Sequence, residues 1–139
     1  MPMRPWLALL SVLVSTPAWA DCPLDLGHGT GIVIYSDQYM LALRPDPMRI
    51  ELGQPFTLLM NVCTKAGEPA ELVRVEATLP EQKPDKNAAP TIKAIGNGRY
   101  QVAGLLFSAP GTWEVAFEVR PLGQTGGEIQ RLTHDFVLK

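Results

Sequence analysis

The sequence predicts an all-β protein, a single antiparallel β-sandwich of about seven to nine strands. Apolar residues alternate with polar or small ones over short runs, most clearly at Trp113, Val115 and Phe117. A period of two is typical of strands that are buried on one face. Segments rich in Gly, Pro and Asn separate the runs, and no window has a helical period. Short strands at regular spacing favour a sandwich.

Nine segments have the pattern of strands. In chain order they are residues 31–36, 40–44, 48–52, 56–63, 72–79, 91–95, 100–107, 112–120 and 129–138. Two of them carry a clear apolar stripe. The predicted core positions are Phe56, Leu58, Met60 and Val62 in one, and Val73, Val75, Ala77 and Leu79 in the other.

Five residues are expected to define the fold through turns, packing and strand entry. They are Gly98, Tyr100, Pro110, Gly111 and Trp113. The glycines and the proline suit turns between strands, and each of the two aromatic residues stands near the start of the strand that follows a turn. We therefore assign these residues a structural role.

The first 20 residues have the organisation of a signal peptide. Arg4 precedes an apolar stretch, and Ala18-Trp19-Ala20 has the small-x-small form of a cleavage site. The mature domain is then residues 21–139, in the periplasm or secreted. The apolar stretch is shorter than the ~20 residues that span a bilayer, so we expect no retained membrane anchor. Asp21 disfavours lipid attachment at the cysteine that follows it.

Composition limits the partners. Without Arg4, 11 basic residues remain against 14 acidic ones, a net charge near −3, and the basic residues do not cluster. Nucleic acid is therefore not an expected partner. The mature chain has the length of one domain.

Cys22 and Cys63 are the two cysteines of the chain. An oxidising compartment predicts a disulfide between them. It would close a loop of about 40 residues and stabilise the fold by roughly 4 kcal/mol. A thiolate metal site is the alternative, although such sites usually draw their cysteines from close pairs.

Residues 80–90, PEQKPDKNAAP, interrupt the strand pattern. They are polar and contain three prolines, so an exposed loop is predicted. The loop is either a solvated connection or a functional surface.

The order of a proline-bearing loop followed by PTIKAIGNGRYQVAGLLFSAPGTWEVAFEV resembles the YtkA-like and FixH-like family of exported bacterial domains. The resemblance covers residues 54–119. It implies an immunoglobulin-like sandwich outside the cytoplasm, associated with copper handling and with the assembly of respiratory oxidases. Typical members carry Met and His in the loop and a His-Met-Pro-Gly segment before the tryptophan strand, ligands that suit copper.

This chain departs from the family at the ligand positions. Leu79-Pro80 stands in place of Met-Pro, and Ser108-Ala109-Pro110-Gly111 in place of His-Met-Pro-Gly. The loop positions read Gln82, Pro84 and Lys86. The scaffold is retained while the family's ligands are absent at these positions, so none is carried over.

The remaining candidates for a metal site are His28, Met40 and Met48. Met40 and Met48 flank a predicted turn at residues 44–47 and could be exposed together, and His28 stands in a glycine-rich segment near Cys22. An isolated surface histidine is the alternative interpretation of His28, and also of His134. Copper is the metal that these residues suit. We expect no other cofactor.

Two hypotheses of function follow. The first is a non-enzymatic accessory or interaction module that binds another periplasmic or membrane-bound protein. The second is a copper-handling protein that uses His and Met elsewhere on its surface. We expect no enzymatic activity, because no nucleophile stands in a catalytic context.

Overall fold

The computed structural model describes residues 31–80, 90–123 and 126–139. The predicted signal peptide, Cys22, His28 and most of the proline-bearing loop lie outside these residues. The strands are β1 (Ile32–Tyr35), β2 (Tyr39–Asp46), β3 (Phe56–Thr64), β4 (Ala70–Thr78), β5 (Thr91–Gly96), β6 (Arg99–Leu105), β7 (Gly111–Pro121) and β8 (Gln130–Leu138). Among the described residues, no helix is long and apolar enough to cross a membrane.

The eight strands form two packed antiparallel sheets, so the predicted all-β sandwich is confirmed. The large sheet has the order β1-β2-β3-β6-β5, and the small sheet has the order β4-β7-β8. The immunoglobulin-like connectivity remains a prediction.

Both sheets contribute alternate residues to one core. The predicted stripe of Phe56, Leu58, Met60 and Val62 is buried, as expected. Tyr100 crosses between the layers, and its hydroxyl donates to the Ala70 carbonyl at 3.3 Å. An aromatic cluster closes one end of the core, with Phe107 5.0 Å from Phe56, 4.9 Å from Trp113 and 5.8 Å from Phe136 between ring centroids.

The predicted strand at residues 48–52 is wrong. The segment is a bend and a turn, in which the Gln54 N–H donates to the Glu51 carbonyl at 3.2 Å. Pro47, directly before the segment, has no backbone N–H and so cannot donate a hydrogen bond to a neighbouring strand. The Gly53 N–H donates to the Phe107 carbonyl at 2.9 Å and fixes the end of the segment against the core.

The predicted core phase of β4 is only partly right. A bulge between Leu72 and Arg74 interrupts the pairing with β7, so that Leu72 and Val75 are both buried while Val73 is half-buried. Leu79 is buried and Ala77 is half-buried and packed against the core, as expected. A bulge inserts one extra residue and shifts the alternation, which periodicity cannot anticipate.

Candidate functional site

The structure does not bring Met40 and Met48 together. No turn forms at residues 44–47, because β2 continues to Asp46. Met40 lies near the start of β2, opposite Cys63, whereas Met48 follows the end of the strand. At ~3.3 Å per residue, the part of β2 from Met40 to Asp46 alone is roughly 20 Å long. His28 lies outside the described residues, which contain no cluster of His, Cys, Asp and Glu that could hold a metal.

His134 is half-buried on β8, on the same side of the strand as Leu132 and Phe136. Its ring packs edge-on against Phe136 with centroids 4.9 Å apart. The contact gives His134 a packing role at the margin of the core.

Cys63 is fully buried near the end of β3 and is not a free thiol. Cys22, its predicted partner, lies outside the described residues. Their pairing therefore remains a prediction.

The fold-defining residues occupy turns and core positions. Gly98, with φ of +76°, follows Asn97 in the turn from β5 to β6. Pro110 and Gly111 lead into β7, and Trp113 is 3% exposed. The Trp113 indole N–H donates to the Ala109 carbonyl at 2.9 Å, which fixes the turn to the strand that it starts.

A cavity of about 410 Å³ opens where β1 and β8 meet at the margin of the sandwich. The residues that line it come from the start of β1, the end of β2, the segment after it and the end of β8: Gly31, Ile32, Arg44, Pro45, Met48, Ile50, Phe136, Val137 and Leu138. Its volume falls within the range of small-ligand pockets. We call it the seam cavity.

The floor of the seam cavity is the hydrophobic core. Phe136 is a core residue, and Ile32, Ile50 and Leu138 pack against the core. The mouth is apolar as well, since Met48 is 56% and Val137 is 67% exposed. Large apolar side chains that remain exposed beside a concave apolar surface are typical of binding sites.

The other end of the same margin is closed by polar groups. The Ser36 hydroxyl donates to Gln130 Oε1 at 3.1 Å, and Gln130 Nε2 donates to Gln38 Oε1 at 2.9 Å. Hydrogen bonds thus join the connection between β1 and β2 to the start of β8 at one end, while apolar side chains line an opening at the other. The cavity therefore lies at the apolar end of the margin between β1 and β8.

The outer face of the small sheet is polar and internally paired. Arg120 donates to both carboxylate oxygens of Glu71, at 2.9 and 3.1 Å. Arg131 lies 3.8 Å from a carboxylate oxygen of Glu76 and 3.9 Å from one of Glu114. The carboxylates of Glu71, Glu76 and Glu114 are thus paired with neighbouring arginine side chains.

We expect acid to weaken the fold partly through Glu71. The hydrogen bonds from Arg120 hold the pKa of the Glu71 carboxyl below its ordinary value. A folded-state pKa below the unfolded one gives stabilisation that is present above the unfolded pKa and lost as pH falls through the folded one. The Glu71→Gln substitution should therefore lower the urea midpoint at pH 7 and make less difference at pH 3.

Glu68→Gln is the matched control, because Glu68 is an exposed carboxylate in the turn before β4. It should change the midpoint little at either pH. An equal loss at pH 7 and pH 3 in Glu71→Gln would contradict the electrostatic explanation.

No protein-family model, curated protein or solved structure matches this chain.

Sequence reasoning did not identify the seam cavity. Its walls come from segments about 100 residues apart along the chain, β1 and β8. The apolar residues Met48, Ile50 and Val137 stand in predicted strands with no distinctive motif. A signal did exist in residues 48–52, whose flanking prolines Pro47 and Pro55 favour a loop over a strand.

Proposed function

We propose that this protein is a non-enzymatic interaction module that works in the periplasm or after secretion and binds another exported or membrane-bound protein. The observation that carries the proposal is the open, apolar seam cavity with Met48 and Val137 exposed at its mouth. The signal-like residues 1–20 and the resemblance to the YtkA-like and FixH-like domains support a location outside the cytoplasm.

The cavity suits an apolar side chain of a partner protein. Binding energy at protein interfaces concentrates where a large side chain enters a well-packed pocket. The unbranched Met48 side chain can adapt to the shape of the group that enters. The partner's anchor is therefore an aromatic or long aliphatic residue, and exposed apolar surface at the mouth becomes buried around it.

Photo-crosslinking in the organism that encodes the protein tests this function. A photoreactive residue is placed at Val137, inside the site, and at Thr133, an exposed position on the same strand but away from the cavity. We expect a discrete adduct with another protein from position 137 and none with another protein from position 133. Met48→Asp should abolish the adduct, because a charge at the mouth opposes burial. Equal adducts from both positions, or an adduct that survives Met48→Asp, would contradict the proposal.

The second candidate is a copper-handling protein. The observation that favours it is the exposed thioether of Met48, since Cu(I) prefers soft sulfur ligands. The structure separates Met48 from Met40, and the family's ligand positions carry no Met or His. We therefore expect weak Cu(I) binding or none.

A competition titration against a Cu(I) chelator distinguishes the two candidates, with the cysteines kept oxidised. Met48→Leu keeps the apolar side chain and removes the sulfur, so it should preserve the crosslink if the cavity binds a protein. Met40→Leu and His28→Ala complete the set. Stoichiometric tight binding that is lost in any of these variants would establish the copper function instead.

A further inference from the structure

Four of the described strands lie at the edges of the two sheets, namely β1, β4, β5 and β8. The open edge of a sheet can pair with a strand of another molecule, and proteins usually prevent this with a very short edge strand or a bulge. β1 has only four residues, and β4 and β5 each contain a bulge. β8 has nine residues without a proline and pairs with β7 in an unbroken register. The outer edge of β8 therefore lacks these devices.

The outer face of β8 and of the residue before it carries side chains in a symmetric order. The five residues that alternate with its inward-facing positions are all exposed: Ile129, Arg131, Thr133, Asp135 and Val137. Ile129 is 47% and Val137 is 67% exposed, although both are large and apolar. From either end, the order is an apolar residue, a charge, Thr133, the opposite charge and an apolar residue. Charges on an edge disfavour pairing with most strands, but this order is complementary to itself once the strand is reversed.

We propose that two copies of this chain associate by antiparallel pairing of β8 with β8, about a two-fold axis at Thr133. Arg131 of each copy then lies opposite Asp135 of the other, and Ile129 lies opposite Val137. Side chains directly opposite in such a pair are close enough to interact, and opposite charges and apolar pairs both stabilise it. The two small sheets join into one sheet of six strands, and both copies use the same surface, as a two-fold interface requires.

The alternative registers lose this complementarity. An axis at Leu132 places Ile129 opposite Asp135, and an axis one residue beyond Thr133 likewise places an apolar residue opposite a charge. An axis at Asp135 places this carboxylate opposite itself, which is destabilising. Among these registers, the axis at Thr133 is the one that pairs both charges and both apolar side chains.

The contacts of β8 within its own chain are compatible with this pairing. None of the described strands pairs with its outer edge. Gln130 is held to Ser36 and Gln38 through its side-chain amide, which leaves its backbone groups out of these bonds. Arg131 lies 3.8 and 3.9 Å from two carboxylates of its own chain, longer than a hydrogen bond. Its guanidinium has five N–H donors, so it can also bind the carboxylate of a second copy.

The association brings the second copy to the mouth of the seam cavity. Val137 is exposed at this mouth, so Ile129 of the second copy adds apolar surface beside it. The association does not depend on the function proposed for the cavity, because two copies can pair with no other protein bound. In the photo-crosslinking experiment, an adduct between two copies has twice the mass of the chain and is thereby distinguished from an adduct with another protein.

Sedimentation velocity of the mature, exported protein over a concentration series tests the association. Wild type should form a dimer as the concentration rises. Arg131→Asp and Asp135→Arg each place like charges opposite each other, so each variant alone should remain monomeric. An equimolar mixture of these two variants restores opposite charges across the axis and should form a dimer. A wild type that stays monomeric throughout the series would overturn the proposal, as would a mixture that stays monomeric.

Arg74→Asp is the matched control for the charge changes. Arg74 is an exposed arginine with an ion pair to Glu76, and it lies on β4, at the opposite edge of the small sheet. Its substitution should leave the dimer as stable as in wild type. The same loss of dimer in Arg74→Asp as in Arg131→Asp would contradict the assignment of the interface to β8.

A cysteine at the axis gives a test that leaves every charge in place. Thr133→Cys sets two thiols directly opposite each other, where the Cα atoms of an antiparallel pair are roughly 4.5–5.5 Å apart, within the reach of a disulfide. Thr112→Cys is the control, because Thr112 is exposed on the neighbouring strand β7, opposite Val137 of its own chain. After mild oxidation, Thr133→Cys should run as a covalent dimer on non-reducing electrophoresis and Thr112→Cys as a monomer. No covalent dimer from Thr133→Cys, or equal amounts from both variants, would overturn the proposal.

Discussion

Trp113→Ala is expected to lower the free energy of unfolding by about 3–5 kcal/mol, the range for removing a large buried aromatic side chain. Trp113 is 3% exposed and its ring lies 4.9 Å from that of Phe107. Phe107 in turn contacts Phe136, which forms part of the floor of the seam cavity. The loss of packing should therefore reach the proposed binding site.

Trp113→Phe removes only part of the ring volume, together with the indole hydrogen bond. It retains an aromatic ring and loses the bond from the indole N–H to the Ala109 carbonyl. We expect it to cost less than the alanine variant. Urea unfolding should be followed by far-UV circular dichroism, since Trp113 is the one tryptophan after residue 20. An unchanged midpoint in Trp113→Ala would contradict the core assignment of β7.

Gly111→Ala should also destabilise strongly, for two reasons. Gly111 has φ of +137°, a backbone conformation that side chains rarely adopt. A Cβ there would lie 2.9 Å from Leu79 Cδ1, so the end of this buried side chain would have to shift. Backbone strain of roughly 1–3 kcal/mol then adds to an overpacking cost of roughly 1–3 kcal/mol.

Gly104→Ala is the control that isolates the backbone contribution. Gly104 has φ of +84°, but a Cβ there meets no atom within 4 Å. Its cost should be confined to the backbone strain, so an additional cost in Gly111→Ala reflects the contact with Leu79 together with the different φ at Gly111. Equal costs for the two substitutions would show that Leu79 moves aside freely.

Much of the fold could be predicted because it depends on local patterns. The stripe from Phe56 to Val62 lies on a regular strand, so a period of two identified its core face correctly. The roles of Gly111 and Trp113 were predicted for a similar reason. A turn followed by alternating apolar and polar residues shows where β7 begins and which of its residues face the core. The failures lie where long-range contacts prevail, at residues 48–52 and at the bulge in β4.

The sequence by itself determined the fold class and the core face of the regular strands β3 and β7. These follow from residue type and spacing, which act over a few positions of the chain. Only the tertiary structure decided that Met40 and Met48 lie apart, that β1 and β8 leave an apolar cavity between them, and that β8 lies at the edge of its sheet. Each of these depends on which distant strands become neighbours, because sheet order is set by packing between remote segments.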